Sequence, residues 1–106
     1  MPKYLITASY TVDGLKGLLK DGGTGRRAAI QKAAESLGGR VETMYYTFGD
    51  RDVIVIGDLP DNTTAAALSL TVSATGAVRT TTTPLLSPED IDAAAKRTVS
   101  YRAPGA

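Results

Sequence analysis

Four consecutive apolar β-branched residues, Val53-Ile54-Val55-Ile56, limit what this chain can become more than any other feature. Branching at Cβ favours strand over helix. The run lacks the alternation of a strand with one wet face, so it predicts a strand covered on both sides. A chain of 106 residues is one domain's worth. Helices can cover one side of such a strand, and the other side needs a second source of cover.

The remaining segments supply the rest of a small α+β domain. Residues 3–11 are rich in aromatic and β-branched types and predict a first strand. Tyr4, Ile6, Ala8 and Tyr10 lie on one side of it, and Leu5, Thr7, Ser9 and Thr11 on a mostly hydroxylated other. Residues 40–48 and 52–59 predict strands two and three, joined by a Gly49-Asp50-Arg51 hairpin loop with Gly49 at positive φ. Val78 and the threonines Thr80 to Thr83 predict strand four.

Helices fill the gaps. Asp13 is placed to cap a short helix over residues 14–20, which the glycines of Gly22-Gly23-Thr24-Gly25 interrupt. A longer helix begins at Thr24, with Ile30, Ala33, Ala34 and Leu37 on one side, and stops at Gly38-Gly39. Residues 63–75 predict a helix capped by Asp61 or Asn62 that contains no charged residue, so it should be covered on more than one side. Ser87-Pro88-Glu89-Asp90 has the cap, first-turn proline and acids of a helix start. Residues 101–106 read as an irregular tail.

The order β-α-β-β-α-β plus a C-terminal helix predicts a single ferredoxin-like domain over residues 1–106. Its four-stranded antiparallel sheet would carry both main helices on one face. A second copy, sheet facing sheet, would cover the other face. Composition points the same way. With 15 Ala, 14 Thr and 11 Gly the core is built of small side chains and is thin for a lone monomer. The uncharged helix extends the expectation to contacts beyond a dimer, as in a ring built from dimers.

What is missing excludes several kinds of chemistry. With no Cys and no His there is no disulfide, zinc site, histidine-ligated haem, thiol nucleophile or Ser-His-Asp triad. No cofactor or metal is expected. A formal net charge of +1 gives no electrostatic footprint for nucleic acid or a membrane surface. No apolar run reaches about 18 residues, and the first residues do not read as a signal peptide, so a cytoplasmic protein is expected.

Several residues are candidates for binding or catalysis. Side chains alternate along a strand, so one of Tyr45 and Tyr46 faces the helices and the other the space between two sheets. The latter, with Tyr10 and the hydroxyls of Thr7, Ser9, Thr43 or Thr81, would line a polar cavity whose hydroxyls satisfy each other, water or a ligand. Arg79 sits either at the sheet edge or in that cavity. Asp52 is a base or ligand anchor, or else the ion-pair partner of Arg51 or another Arg. Asp52 and Tyr10 are the catalytic candidates if the chain is an enzyme. The segment from Gly22 to Arg27 is more simply a helix break than a phosphate loop, since it lacks the Lys-Ser/Thr of a P-loop. Were it to hold an anion, Thr24, Arg26 and Arg27 would do so.

One set of short motifs, taken in order, resembles a known family. Tyr4-Leu-Ile-Thr, Tyr10-Thr11, Gly14-Leu15, Gly23-Thr24, Arg27, Leu37-Gly38-Gly39, Phe48-Gly49-Asp50-Arg51-Asp52-Val53-Ile54-Val55, Pro60-Asp61, Gly76 and Arg79-Thr80 together resemble the GYD domain family. Here the Gly-Tyr-Asp-type element of the family's name reads Gly49-Asp50-Arg51-Asp52. The resemblance implies the dimeric α/β-barrel architecture. The expectation is a homo-oligomeric module that binds a small, mostly apolar molecule between its sheets. The alternatives are a cofactor-independent oxygenase or isomerase on the same scaffold, and a structural assembly protein without ligand.

Overall fold

The computed structural model describes residues 1–106. Its elements run β1 (Lys3–Tyr10), α1 (Val12–Ser36), β2 (Arg40–Tyr46), β3 (Val53–Asp58), α2 (Asn62–Ala74), β4 (Val78–Leu85) and α3 (Pro88–Ala95). The chain is thus α+β, with three helices and one four-stranded sheet. The strand order is β2-β3-β1-β4, and every neighbouring pair is antiparallel.

Register decides which face each residue occupies. Tyr46 pairs with Val53, Val53 with Ala8, and Ala8 with Thr80, so these four form one row across one face. One residue along, Tyr45, Ile54, Thr7 and Thr81 form the next row and point the other way. The first face carries both long helices. Tyr46 donates its phenol hydrogen to the Gly23 carbonyl of α1 at 3.0 Å. Ser69 of α2 shares hydrogen bonds with Thr80 at 3.1 Å and Thr82 at 2.7 Å. Those contacts explain how a threonine-rich strand fits beside an uncharged helix. Alternate threonines pair with α2 hydroxyls under the helix, while Thr81 and Thr83 stay exposed on the far side.

The core is small, as the composition predicted. Ala8, Val53, Val55 and Val78 form one buried cluster; Tyr4, Leu59 and Ala65 form another. Tyr4 is the one large side chain fully buried, and its hydroxyl donates to Asn62 at 2.6 Å. Val53 and Val55 are buried beneath the helices, but Ile54 and Ile56 are only half-buried on a face that nothing in the chain covers. The two-sided cover expected for this run is therefore one-sided within one chain.

Several local expectations change. α1 starts at Val12, and its cap is Thr11, which accepts from the Gly14 N–H at 3.2 Å, in place of Asp13. Thr11 also donates to the Gly76 carbonyl at 2.9 Å, tying the start of α1 to the α2–β4 turn. The predicted break is present, but as a kink at Gly22, whose φ of 76° and ψ of 163° suit glycine. Thr24 then lies inside the second half of α1 instead of capping it. Gly49 is not among the glycines with positive φ, which are Gly22, Gly38, Gly76 and Gly105. The β2–β3 hairpin is closed by the Thr47 N–H donating to the Asp52 carbonyl at 2.9 Å, so β2 ends two residues earlier and β3 starts one residue later than expected.

α2 and α3 depart from expectation in burial. Ala65 is the only fully buried residue of α2, and Leu70 on its outer side is 72% exposed. The uncharged helix is covered on one side only. α3 has the predicted capping box, with Ser87 accepting from the Asp90 N–H and the Asp90 carboxylate accepting from the Ser87 N–H, both at 3.0 Å. Yet every residue from Ser87 to Ala106 is exposed. The arm stands off the body and stretches the molecule to 56 × 33 × 23 Å, with a radius of gyration of 16.9 Å. A compact chain of this length would have about 13 Å. No helix is long and apolar enough to cross a membrane.

Candidate functional site

The two long helices stand over opposite halves of the sheet, α1 over β2 and α2 over β4. Between them runs a cleft whose floor is the centre of the helix-covered face. Ile6, Ala8, Val53 and Val55 pave it, with Met44 and Val78 at the sides. Ile30 of α1 and Leu68 and Val72 of α2 form the walls. The sequence produces this surface because the residues of β1 and β3 that face the helices are all apolar, and α1 and α2 set Ile30, Leu68 and Val72 against them.

The inner cavity has a volume of about 60 Å³. Its polar lining is confined to Tyr10, Arg26, Ser69 and Thr80. Ser69 and Thr80 bond to each other, which leaves Tyr10 and Arg26 as the groups able to address a guest. A second cavity of about 270 Å³ adjoins it, sharing Tyr10, Arg26, Val72 and Val78. This outer space opens between the first half of α1 and the α2–β4 turn, and Asp13, Asp21 and Thr75 add polarity there. The result is an apolar slot with a polar mouth and a tyrosine and an arginine at the junction, the usual character of a small-molecule site.

Electrostatics around the junction are set by a few groups. Arg26 lies 3.7 Å from the Asp21 carboxylate, beyond hydrogen-bond distance. Tyr46 flanks the same region, and its phenol titrates above the ordinary tyrosine range. Partial burial is the main cause and the neighbouring Tyr10 adds to it, against the opposing pull of Arg26 and Arg27. Tyr46 is therefore a neutral hydrogen-bond donor at physiological pH.

The candidates singled out from the sequence do not converge on one place. Tyr10 and Arg26 meet in the cleft. Arg27 and Tyr45 line a separate open groove of about 360 Å³ beside β2, together with Gln31, Glu42 and Thr43. Thr7, Ser9 and Arg79 occupy the uncovered face, with Ser9 paired opposite Arg79. Tyr10 cannot join Thr7 and Ser9 in one cavity, because it follows Ser9 directly and points to the other side of the sheet. Tyr46 is the tyrosine that faces the helices, and Tyr45 is the exposed one on the open face. Asp52 is not the ion-pair partner of Arg51: its carboxylate accepts from the Tyr10 backbone N–H at 2.8 Å. Thr24 is exposed on α1, outside all three cavities.

Ile6, Ile30, Met44, Leu68 and Val72 were legible only as core. Nothing in their spacing separates a filled core from one that leaves a slot.

A second charged group caps the far end of the sheet. Asp58 is buried, and its carboxylate accepts from Lys3 and from Arg40, both at 3.0 Å, while Lys3 also reaches Glu42 at 2.8 Å. The bonds from Lys3 and then Arg40 hold Asp58 below the ordinary carboxylate range. The bonds to Glu42 and Asp58 raise Lys3 above its ordinary value. These groups lie on the uncovered face at the edge where chain ends and turns meet, and their geometry is that of a structural clasp.

The sequence profile of the GYD domain matches residues 4–95, nearly the whole ordered body and α3. The chain belongs to the GYD domain family. No curated protein and no solved structure matches it. As a GYD domain it keeps the body of the fold within the matched region, and both the cleft and the Lys3-side clasp fall almost wholly inside it.

Proposed function

We propose that this GYD domain is a homo-oligomeric, ferredoxin-like module that binds a small, mostly apolar molecule. The observation that carries the reading is the apolar slot between α1 and α2, which ends at Tyr10 and Arg26. A filled core would stabilise the chain more, since empty apolar volume costs about 24 cal/mol per Å³. A ligand would return that stability on binding. The strand order β2-β3-β1-β4 and the placement of both long helices on one face support the ferredoxin-like description.

Association is supported by what one chain leaves bare. Leu5, Thr7, Ile54 and Ile56 lie at the centre of the uncovered sheet face, without a charge among them. Two such faces placed together would bury them in an isologous dimer with the two-fold symmetry common among oligomers. The detached arm adds weight, because Leu86, Ile91, Val99 and Tyr101 are all at least half exposed on it. An eight-residue helix is marginal in water without a surface to pack on. The uncharged outer side of α2, with Leu70, supports contacts beyond the pair.

The binding reading is favoured over an enzyme on the same scaffold by one detail. The Asp52 carboxylate is engaged by backbone and lies outside the cleft, so Tyr10 is the only catalytic candidate there. Native mass spectrometry of freshly purified protein tests both halves of the reading. The expected result is a dimer or a multiple of it, carrying a small molecule that leaves on denaturation. A bare monomer would overturn it.

A further inference from the structure

We infer that the molecule bound in the cleft carries one anionic group, held by Arg26, with its apolar remainder in the inner cavity. The inference rests on the reading of the cleft as a binding site and goes beyond it by naming the ligand's charge and shape.

Arg26 is the only charged residue lining the inner cavity, and it also lines the outer one. It therefore marks the junction. Its side chain is 28% exposed, yet its nearest carboxylate, Asp21, stays 3.7 Å away. A guanidinium presents five N–H donors in a planar fork suited to two-point contact with a carboxylate. The guanidinium makes no hydrogen bond within the chain and holds one loose ion pair, so its donors are open to a guest. The other polar groups of the inner cavity do not compete for an anion. Ser69 and Thr80 are bonded to each other, and Tyr10 presents a hydroxyl on the same side.

Dimensions set the shape. The inner cavity, about 60 Å³, is smaller than the roughly 150 Å³ that encloses benzene. Only a tail of about two or three carbons fits it, and a ring does not. The head group then falls at the junction and opens into the outer cavity of about 270 Å³. Asp13 and Asp21 line only that outer space, so a cationic head would be held at the mouth, with its tail short of the slot. The geometry points to a short-chain aliphatic carboxylate.

Isothermal titration of the full chain with butyrate, 1-butanol and butylamine decides the matter. Butyrate is expected to bind about tenfold more tightly than 1-butanol, with the margin shrinking as salt is added. Arg26→Gln should bring butyrate down to the level of the alcohol while 1-butanol binding persists, which also shows that the variant is folded. Arg26→Lys should recover only part of the margin, and Lys32→Gln on the exposed side of α1 should leave it unchanged. Equal binding of acid and alcohol overturns the Arg26 assignment and leaves the cleft reading standing. Preference for butylamine overturns it in favour of Asp13 and Asp21. Failure of all three probes to bind overturns the cleft reading and this inference with it.

Discussion

The carboxylate of Asp52 accepts a hydrogen bond from the backbone N–H of Tyr10 at 2.8 Å. Beyond the Ala8–Val53 pair, β3 turns away into the hairpin, and the ladder to β1 would end there. The Asp52 N–H still donates to the Ala8 carbonyl at 2.8 Å, and its side chain then supplies the acceptor that a further strand residue would have offered. The acid thus sets the backbone of Tyr10, whose ring lines both cavities. It shapes the site without entering it.

Replacing Asp52 with Ala should therefore cost about 1.5–3 kcal/mol, the range for a hydrogen bond to a charged group. Asp52→Asn, which keeps an acceptor, should cost less. Urea unfolding checks this, with the midpoint falling and the slope unchanged.

The clasp at the other end of the sheet predicts a pH dependence with two limbs. Asp58 has its folded value lowered from 3.8, so its contribution is present above that value and lost as pH falls through the lower folded value. Lys3 has its folded value raised from 10.5, so its contribution is present below that value and lost as pH rises through the higher one. Asp58→Asn should flatten the acid limb of a stability-against-pH curve and cost about 1–2 kcal/mol at neutral pH, since Arg40 and Lys3 are partly solvated.

Two glycines of α1 should respond in opposite directions to alanine. A Cβ at Gly14 would collide with the Ala77 carbonyl oxygen, and the backbone there is held by the Thr11 bonds. Gly14→Ala should destabilise by 2 kcal/mol or more, roughly the cost of forced overpacking. A Cβ at Gly17 meets nothing within 4 Å, so Gly17→Ala should stabilise by about 0.4–1 kcal/mol. Thermal unfolding of the two variants gives the comparison directly.

Self-association can be assigned to a face by charge. Ile54→Lys places an ammonium at the centre of the uncovered sheet, and sedimentation should show it monomeric where the parent is not. Leu70→Lys, on the outer side of α2, should leave the pair intact and remove only larger species. A parent chain that sediments as a monomer would refute the face-to-face arrangement.

Much of the architecture was legible in the residues. Asp61 capping α2 and the Ser87–Asp90 capping box are local events, decided by side chains a few residues from the groups they satisfy. Strand identity was likewise local, because Val53 to Ile56 and Thr80 to Thr83 resist helix wherever they are placed. The cap of α1 departs from the local pattern for a physical reason. Thr11 is chosen over Asp13 because it also bonds the Gly76 carbonyl, 65 residues away, and no local pattern carries that.

The sequence by itself determined the element order, the small-residue core and the absence of thiol and imidazole chemistry, since these depend only on composition and near neighbours. Tertiary structure alone decided the rest. Register sent Thr80 and Thr82 under α2, Tyr46 under α1 and Tyr45 to the open face. Alternation along β1 already parts Tyr10 from Thr7 and Ser9, but only the packing of α1 on the sheet joined it to Arg26. A one-residue shift in pairing exchanges the two faces of a strand, so which residues share a site is a property of the assembled sheet.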